Sequence, residues 1–266
     1  MKLQTFTLPT GATVAAWLHE EKPELGNPLC GKRPAVVLCP GGGYSYVSAR
    51  EEDPVAAVLF AMGAQVFVLT YSVEEGAALK RPLEELARTV LMVRTNAQQW
   101  LLDPDKILVM GFSAGGHLAC SLGVHWNDPE ITARCGVEDA KLLRPDGMIL
   151  CYPVISMVDG VTHARTKRNV MAYTTESQDY WSLETQVDAD TPPAFIWHTM
   201  TDASVPVQNS LGLISALSRN GVHCEAHLFP EGPHGMSLCT TEVDTTDAHV
   251  AQWVTLCRNW LNRHYF

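Results

Sequence analysis

The chain has 266 residues, 46% of them hydrophobic and 18% charged, a balance that fits a soluble globular fold. No apolar run approaches the roughly 20 residues that a membrane span needs. The formal net charge of −10, with no basic cluster to offset it, repels phosphate backbones and anionic surfaces, so neither nucleic acid nor a membrane is expected as a partner.

Apolar runs of strand length alternate with segments of helical period, which predicts an α/β fold with a mostly parallel central sheet and helices on both faces. Folds of this class often run to this length as one unit, so residues 1–266 are expected to form a single domain. Met1 to Thr7 is too polar and alternating for the apolar region of a signal sequence, which leads to the expectation of a cytoplasmic protein. Leu3 to Leu8 and Thr13 to Leu18 flank Pro9-Thr10-Gly11 and read as an antiparallel hairpin. Ala35 to Cys39 is the first strongly buried strand. A helix follows, with Asp53 as N-cap, Pro54 at its first position and Gly63 closing it. Gln65 to Tyr71 is the next strand. Pro82 then opens a long helix with Leu83, Leu86, Val90, Val93, Ala97 and Trp100 on one face. Ile107 to Met110 returns as a central strand, and another helix starts after Ser113. Gly147 to Tyr152 and Ala194 to His198 are further strands, and Val207 to Arg219 is a helix stopped by Gly221. His223 and His227 read as residues of the last strand. His249 falls in the closing helix, whose apolar face carries Val250, Trp253, Val254, Cys257, Trp260 and Leu261.

Residues 157–190, after the sixth strand, carry no strong strand signal and are too many for an ordinary connection. An insert at the C-terminal end of a strand in an open α/β sheet shapes the ligand crevice. Tyr173, Tyr180 and Trp181 within it are therefore candidate substrate contacts. The eight cysteines include no C-x-x-C pair and read as reduced core residues. With no H-E-x-x-H motif and no close His and Asp cluster outside Asp202 and His234, neither a metal nor another cofactor is expected.

Ile107 to Met110 runs directly into Gly111-Phe-Ser-Ala-Gly115, a G-x-S-x-G pattern between a strand and a helix. That context places the serine on a sharp turn, with glycines two residues to either side letting strand and helix approach. Ser113 is thus the candidate nucleophile. A serine hydroxyl needs a positioned base, and the base needs a carboxylate to hold its tautomer. Where the nucleophile sits on such an elbow, the chain order is Ser, then Asp or Glu, then His. His19 precedes the serine, and His117 and His125 belong to the helix after it. His234, in the glycine-flanked loop Glu231 to Met236 after the last strand, is the candidate base. Asp202 follows the strand ending near His198 and is the candidate acid; Ser204 is better spaced to cap the next helix. Pro40-Gly-Gly-Gly-Tyr44 follows the first buried strand without the G-K-[ST] ending of a phosphate loop. Gly42 and Gly43, with Ala114, are the candidate oxyanion donors. The three glycines and Tyr44 are expected to crowd the acyl side, with Tyr44 a further substrate contact.

Together these residues resemble the α/β-hydrolase fold from Ala35 to the last helix. The chain is further similar to bacterial carbohydrate acetyl esterases of the acetyl xylan esterase-like or feruloyl esterase-like group. The stretches that carry this likeness are Pro40 to Tyr44 with Arg50-Glu-Glu-Asp-Pro-Val55, Trp181-Ser-Leu-Glu184 before Thr191 to His198, and Thr201-Asp202 with Val205-Pro206. It departs from related H-G-G-G esterases in having Pro40 where they have histidine, so the support of the oxyanion loop must differ. It also has His198-Thr199 where many hydrolases have His-Gly. The resemblance implies removal of an acetyl group from a sugar or oligosaccharide hydroxyl through an acyl-enzyme, without a metal. The residues alone imply acyl transfer, which serine peptidases and arylformamidases perform with the same triad on the same fold. A non-catalytic hydrolase-like binding protein is the third reading. The oligomeric state stays open, a homodimer included.

Overall fold

The fold rests on eight strands: β1 (Lys2–Thr7), β2 (Thr13–Leu18), β3 (Arg33–Cys39), β4 (Gln65–Thr70), β5 (Leu102–Phe112), β6 (Gly147–Cys151), β7 (Ala194–Thr199) and β8 (Cys224–Phe229). They are seen in a computed structural model that describes residues 1–22, 24, 29, 31–172 and 174–266. Among these residues the strands make one sheet in the order β1-β2-β4-β3-β5-β6-β7-β8. β1 and β2 are antiparallel to each other, and β2 is antiparallel to β4. From β4 through β3 and on to β8 every pairing is parallel.

The helices are α1 (Asp53–Met62), α2 (Arg81–Thr95), α3 (Ala114–His125), α4 (Pro129–Cys135), α5 (Ala164–Met171), α6 (Gln178–Trp181), α7 (Gln208–Arg219) and α8 (Gln252–His264). Because strand side chains alternate between faces, the parallel strands feed two separate cores. Val37, Val109, Leu150 and Ile196 pack with Leu86 and Val90 of α2, Leu118 of α3 and Leu213 of α7. Their sequence neighbours Val36, Leu108, Ile149 and Trp197 pack on the opposite face with Leu59 of α1 and Trp253 and Trp260 of α8. A slip of one residue would exchange the two sets, so both cores fix the register. That register sets which strand ends meet at the site.

Several boundaries differ from the sequence reading. Asp53 is the first residue of α1 rather than its cap; Glu52 holds the cap position without a side-chain bond, and Gly63 ends the helix at φ 109°. α2 stops at Thr95, short of Ala97 and Trp100, which remain buried in the turns beyond it. His223 precedes β8 and His249 precedes α8. The segment 157–190 holds α5, α6 and a short 3-10 turn at Leu183–Thr185. Of the described cysteines, Cys224 is half-buried and the other six are buried, all free; Cys30 lies outside the described residues. Among the described residues no helix is long and apolar enough to cross a membrane.

Candidate active site

β5 ends in a turn that only glycines permit. A Cβ on Gly111 would lie 2.0 Å from the Gly115 carbonyl oxygen, and one on Gly115 would lie 2.0 Å from that of Cys39. Between them Ser113 holds φ 53° and ψ −116°, a strained conformation for a residue with a side chain. Neighbouring backbone keeps it there. The Ser113 amide donates to Cys151 O at the end of β6, and the Ser113 carbonyl accepts from His117 and Val154. The hydroxyl does not cap α3. It meets His234 Nε2 at 2.7 Å instead.

His234 reaches Ser113 from the loop after β8, which is pinned to the exit of β7. Thr199 Oγ1 donates to Gly232 O at 2.8 Å, and Gly232 N donates to Thr201 Oγ1 at 3.0 Å. Thr199, the residue that departs from His-Gly, thus ties the two strand exits together. His234 Nδ1 lies 2.6 Å from Asp202 Oδ2. Since an ionised carboxylate can only accept, Nδ1 carries the proton and Nε2 is left to accept from the serine hydroxyl.

Asp202 is buried. Its Oδ1 accepts from the amides of Ser204 and Val205, both at 2.9 Å. Ser204 does not cap the next helix as its spacing predicts: α7 begins after Val207 with no side-chain cap. His198, wholly buried behind the acid, places Nε2 3.3 Å from Asp202 Oδ2 and 2.9 Å from Val205 O. Both neighbours are acceptors, so Nε2 is protonated and Nδ1 accepts from the Ser210 hydroxyl at 2.8 Å. Burial alone would raise the Asp202 pKa, but the bonds from His198, His234 and the Val205 amide hold it well below the usual carboxylate range. The acid therefore stays ionised as the partner of a histidine.

Gly42 and Gly43 line the same cleft as Ser113 and His234, together with Tyr46, Arg50, Glu51, His163 and Arg165. The cleft has a volume of about 490 Å³. A Cβ on Gly42, whose φ is 130°, would lie 1.9 Å from Tyr46 O. The amide of Ala114 belongs to the first turn of α3, whose N–H groups lack intrahelical acceptors.

Three of the four aromatic residues predicted to bind substrate lie elsewhere. Tyr44 is buried, with its hydroxyl 3.1 Å from His117 Nδ1. Trp181 is also buried and donates from Nε1 to Thr174 Oγ1 at 3.1 Å. Tyr180 stacks on His125 at 3.9 Å and donates its hydroxyl to Asp128 Oδ2 at 2.7 Å, with Lys80 Nζ 4.6 Å from its ring centre. None of the three lines the Ser113 cleft. Their polar tips found partners within the fold, as buried tyrosine and tryptophan generally do. Burial also holds the His117 ring down at about 4, so it stays neutral beside Tyr44. Tyr173 lies outside the described residues. The exposed ring inside the cleft is Tyr46, which the sequence reading passed over. His198, Glu51 and His163 were likewise missed as neighbours of the site. Among the described residues, no group of three or more His, Cys, Asp or Glu could hold a metal ion.

Residues 27–217 match the BD-FAE family over most of the chain. The chain belongs to the BD-FAE family. This BD-FAE chain is 38% identical over 221 residues to endo-1,4-beta-xylanase B of Butyrivibrio fibrisolvens, covering 79% of the chain and 34% of the relative. It is 32% identical over 217 residues to an acetylxylan esterase of Xylanibacter ruminicola, covering 77% of the chain and 42% of the relative. It thus spans well under half the length of these two curated relatives. Its structure superposes on an acetyl ester-xyloside bifunctional hydrolase from Caldicellulosiruptor lactoaceticus with a TM-score of 0.81 at 32% identity, covering 96% of this chain and 89% of that one. A carboxylesterase from Lactobacillus plantarum matches with a TM-score of 0.88 at 29% identity, covering 99% and 98%. The BD-FAE chain is therefore an acetyl xylan esterase-like α/β-hydrolase, and its family and fold are those of carboxylic ester hydrolases.

Proposed function

We propose that the chain removes acetyl groups from sugar or oligosaccharide esters with Ser113 as nucleophile, His234 as base and Asp202 as the acid that orients it. The observation that carries this reading is the unbroken chain of contacts from Ser113 Oγ to His234 Nε2 at 2.7 Å and from His234 Nδ1 to Asp202 Oδ2 at 2.6 Å, at the mouth of a cleft. Ser113 Oγ attacks the acyl carbon as its proton passes to His234 Nε2, and charge develops on the carbonyl oxygen. The amides of Gly42, Gly43 and Ala114 are assigned to stabilise it. His234 then returns the proton to the departing sugar oxygen, leaving an acyl-serine. Water, deprotonated by the same nitrogen, attacks the acyl carbon; the bond to Ser113 Oγ breaks as His234 returns the proton to that oxygen, and acetate leaves.

The sugar and the acetyl group are supported by the relatives named for acetylated xylan and acetyl ester-xyloside. Peptidases and arylformamidases share this triad, but the named relatives favour an ester. Tyr46 is 54% exposed and lies in the cleft with His163 and Arg165 from the insert. It takes the place first given to Trp181 as the platform for a sugar ring.

Acetate release from acetylated xylo-, manno- and gluco-oligosaccharides tests this reading. A methylene that the acyl site cannot hold costs about 1–3 kcal/mol, so aryl acetate should exceed aryl butyrate by about tenfold or more in kcat/KM. Tyr46→Ala should lower kcat/KM for the acetylated sugars more than for an aryl acetate. Equal rates on acetate and octanoate, or faster cleavage of peptide bonds, would rule the sugar acetyl ester out. An equal effect of Tyr46→Ala on both substrates would remove the platform.

A further inference from the structure

We propose that Glu51 is a positioning residue for this hydrolysis, its buried carboxylate fixing the oxyanion loop and the His234 loop relative to each other. The proposal rests on the triad reading above and extends it to a residue that touches no reacting atom. Where H-G-G-G esterases place a histidine before the glycines, this chain has Pro40, whose carbonyl accepts from the Tyr71 hydroxyl at 2.7 Å. The next amide, Gly41 N–H, donates to Glu51 Oε2 at 2.7 Å. That approach needs a glycine, since a Cβ on Gly41 would stand 2.7 Å from the same oxygen. Gly41 directly precedes the two glycines assigned to the oxyanion, so its amide sets their direction.

The second carboxylate oxygen reaches the other side of the site. Tyr152, at the exit of β6, donates its hydroxyl to Glu51 Oε1 at 2.6 Å and accepts from the Ser237 amide at 2.9 Å. Ser237 lies three residues beyond His234. Its hydroxyl donates back to Arg50 O at 2.6 Å, and its carbonyl accepts from Trp253 Nε1 at 3.0 Å. The Tyr152 ring stands edge-on to the His234 ring with centroids 5.1 Å apart. Glu51 is 4% exposed, and both its oxygens face donors, the arrangement a carboxylate satisfies. Oxyanion donors and base must share one geometry in the transition state, and a 1 Å misplacement can cost about 10²-fold. Glu51 joins the two halves, bonded to Gly41 directly and to the His234 loop through Tyr152.

Glu51→Gln keeps the size but turns an NH2 group toward one of the two donors. Tyr152→Phe cuts only the arm toward Ser237. With an aryl acetate, Glu51→Gln is expected to lower kcat by about 10- to 100-fold with KM within about twofold. Tyr152→Phe should lower kcat by a smaller factor, and the two losses should fail to multiply in the double variant, since both cut one chain of bonds. Glu51→Asp, which keeps both acceptors on a shorter stem, should recover part of the rate. Folding is checked by circular dichroism and thermal melting; should Glu51→Gln fail to fold, Tyr152→Phe and Glu51→Asp carry the test. Folded variants with unchanged kcat, or with KM raised and kcat unchanged, would overturn the proposal while the parent's activity upholds the triad. A parent in which Ser113→Ala leaves the rate intact would overturn the triad reading, and this proposal with it.

Discussion

Ser113→Ala is expected to lower kcat on an aryl acetate by roughly 10⁶, and His234→Ala by a similar factor, because nucleophile and base act as one unit. Removing either leaves only oxyanion stabilisation and substrate binding to speed the reaction. The serine variant should fold. The hydroxyl's bond is to His234, while the elbow is clamped by backbone bonds to Cys151, His117 and Val154 that an alanine retains. Steady-state kinetics with melting curves check both statements. A folded Ser113→Ala protein that kept more than about a tenth of the parent rate would remove Ser113 from the role of nucleophile.

Asp202→Asn should cost roughly 10⁴ in kcat, as expected when a triad histidine is held in the wrong tautomer. The surroundings decide which way the new amide turns. Oδ1 receives the amides of Ser204 and Val205, which need an oxygen. The NH2 group is therefore forced to the Oδ2 side, against the N–H groups of His234 and His198. His234 relieves the clash by moving its proton to Nε2, where it can no longer accept from Ser113. His198 is held by Ser210 and Val205 and cannot yield as readily. Since the Asp202 pKa is held low, the aspartate should stay ionised through the acid range in which free carboxyls titrate. The stability it contributes is present above the unfolded carboxyl's pKa and is lost only as pH falls through the lower, folded value. Asp202→Asn kinetics within tenfold of the parent would place the orienting acid elsewhere.

What the sequence made legible was local. The elbow at Gly111 to Gly115 is written in consecutive residues, because its geometry needs small neighbours at fixed spacing. His234 and Asp202 could be chosen by chain order and strand ends alone, and the continuous apolar runs in β3, β5 and β7 announced a sheet covered on both faces. Contacts between distant segments were not legible. Glu51 meets Tyr152 across 101 positions, and nothing in Arg50-Glu-Glu-Asp53 says which glutamate turns inward. Tyr180 and Trp181 looked like a binding surface because aromatics among polar residues suit both recognition and wet packing. His125, Asp128 and Thr174, scattered along the chain, decided for packing. Tyr46 drew no attention as a lone aromatic after the glycines, yet the turn they form leaves it exposed in the cleft.

The identity of the nucleophile is tested most directly by treating the active protein with a fluorophosphonate and mapping the modified peptide by mass spectrometry. The expected result is one adduct, on Ser113, formed in step with the loss of esterase activity and absent from the Ser113→Ala and His234→Ala proteins. An active enzyme that takes up no label, or carries it on any other residue, would contradict the assignment.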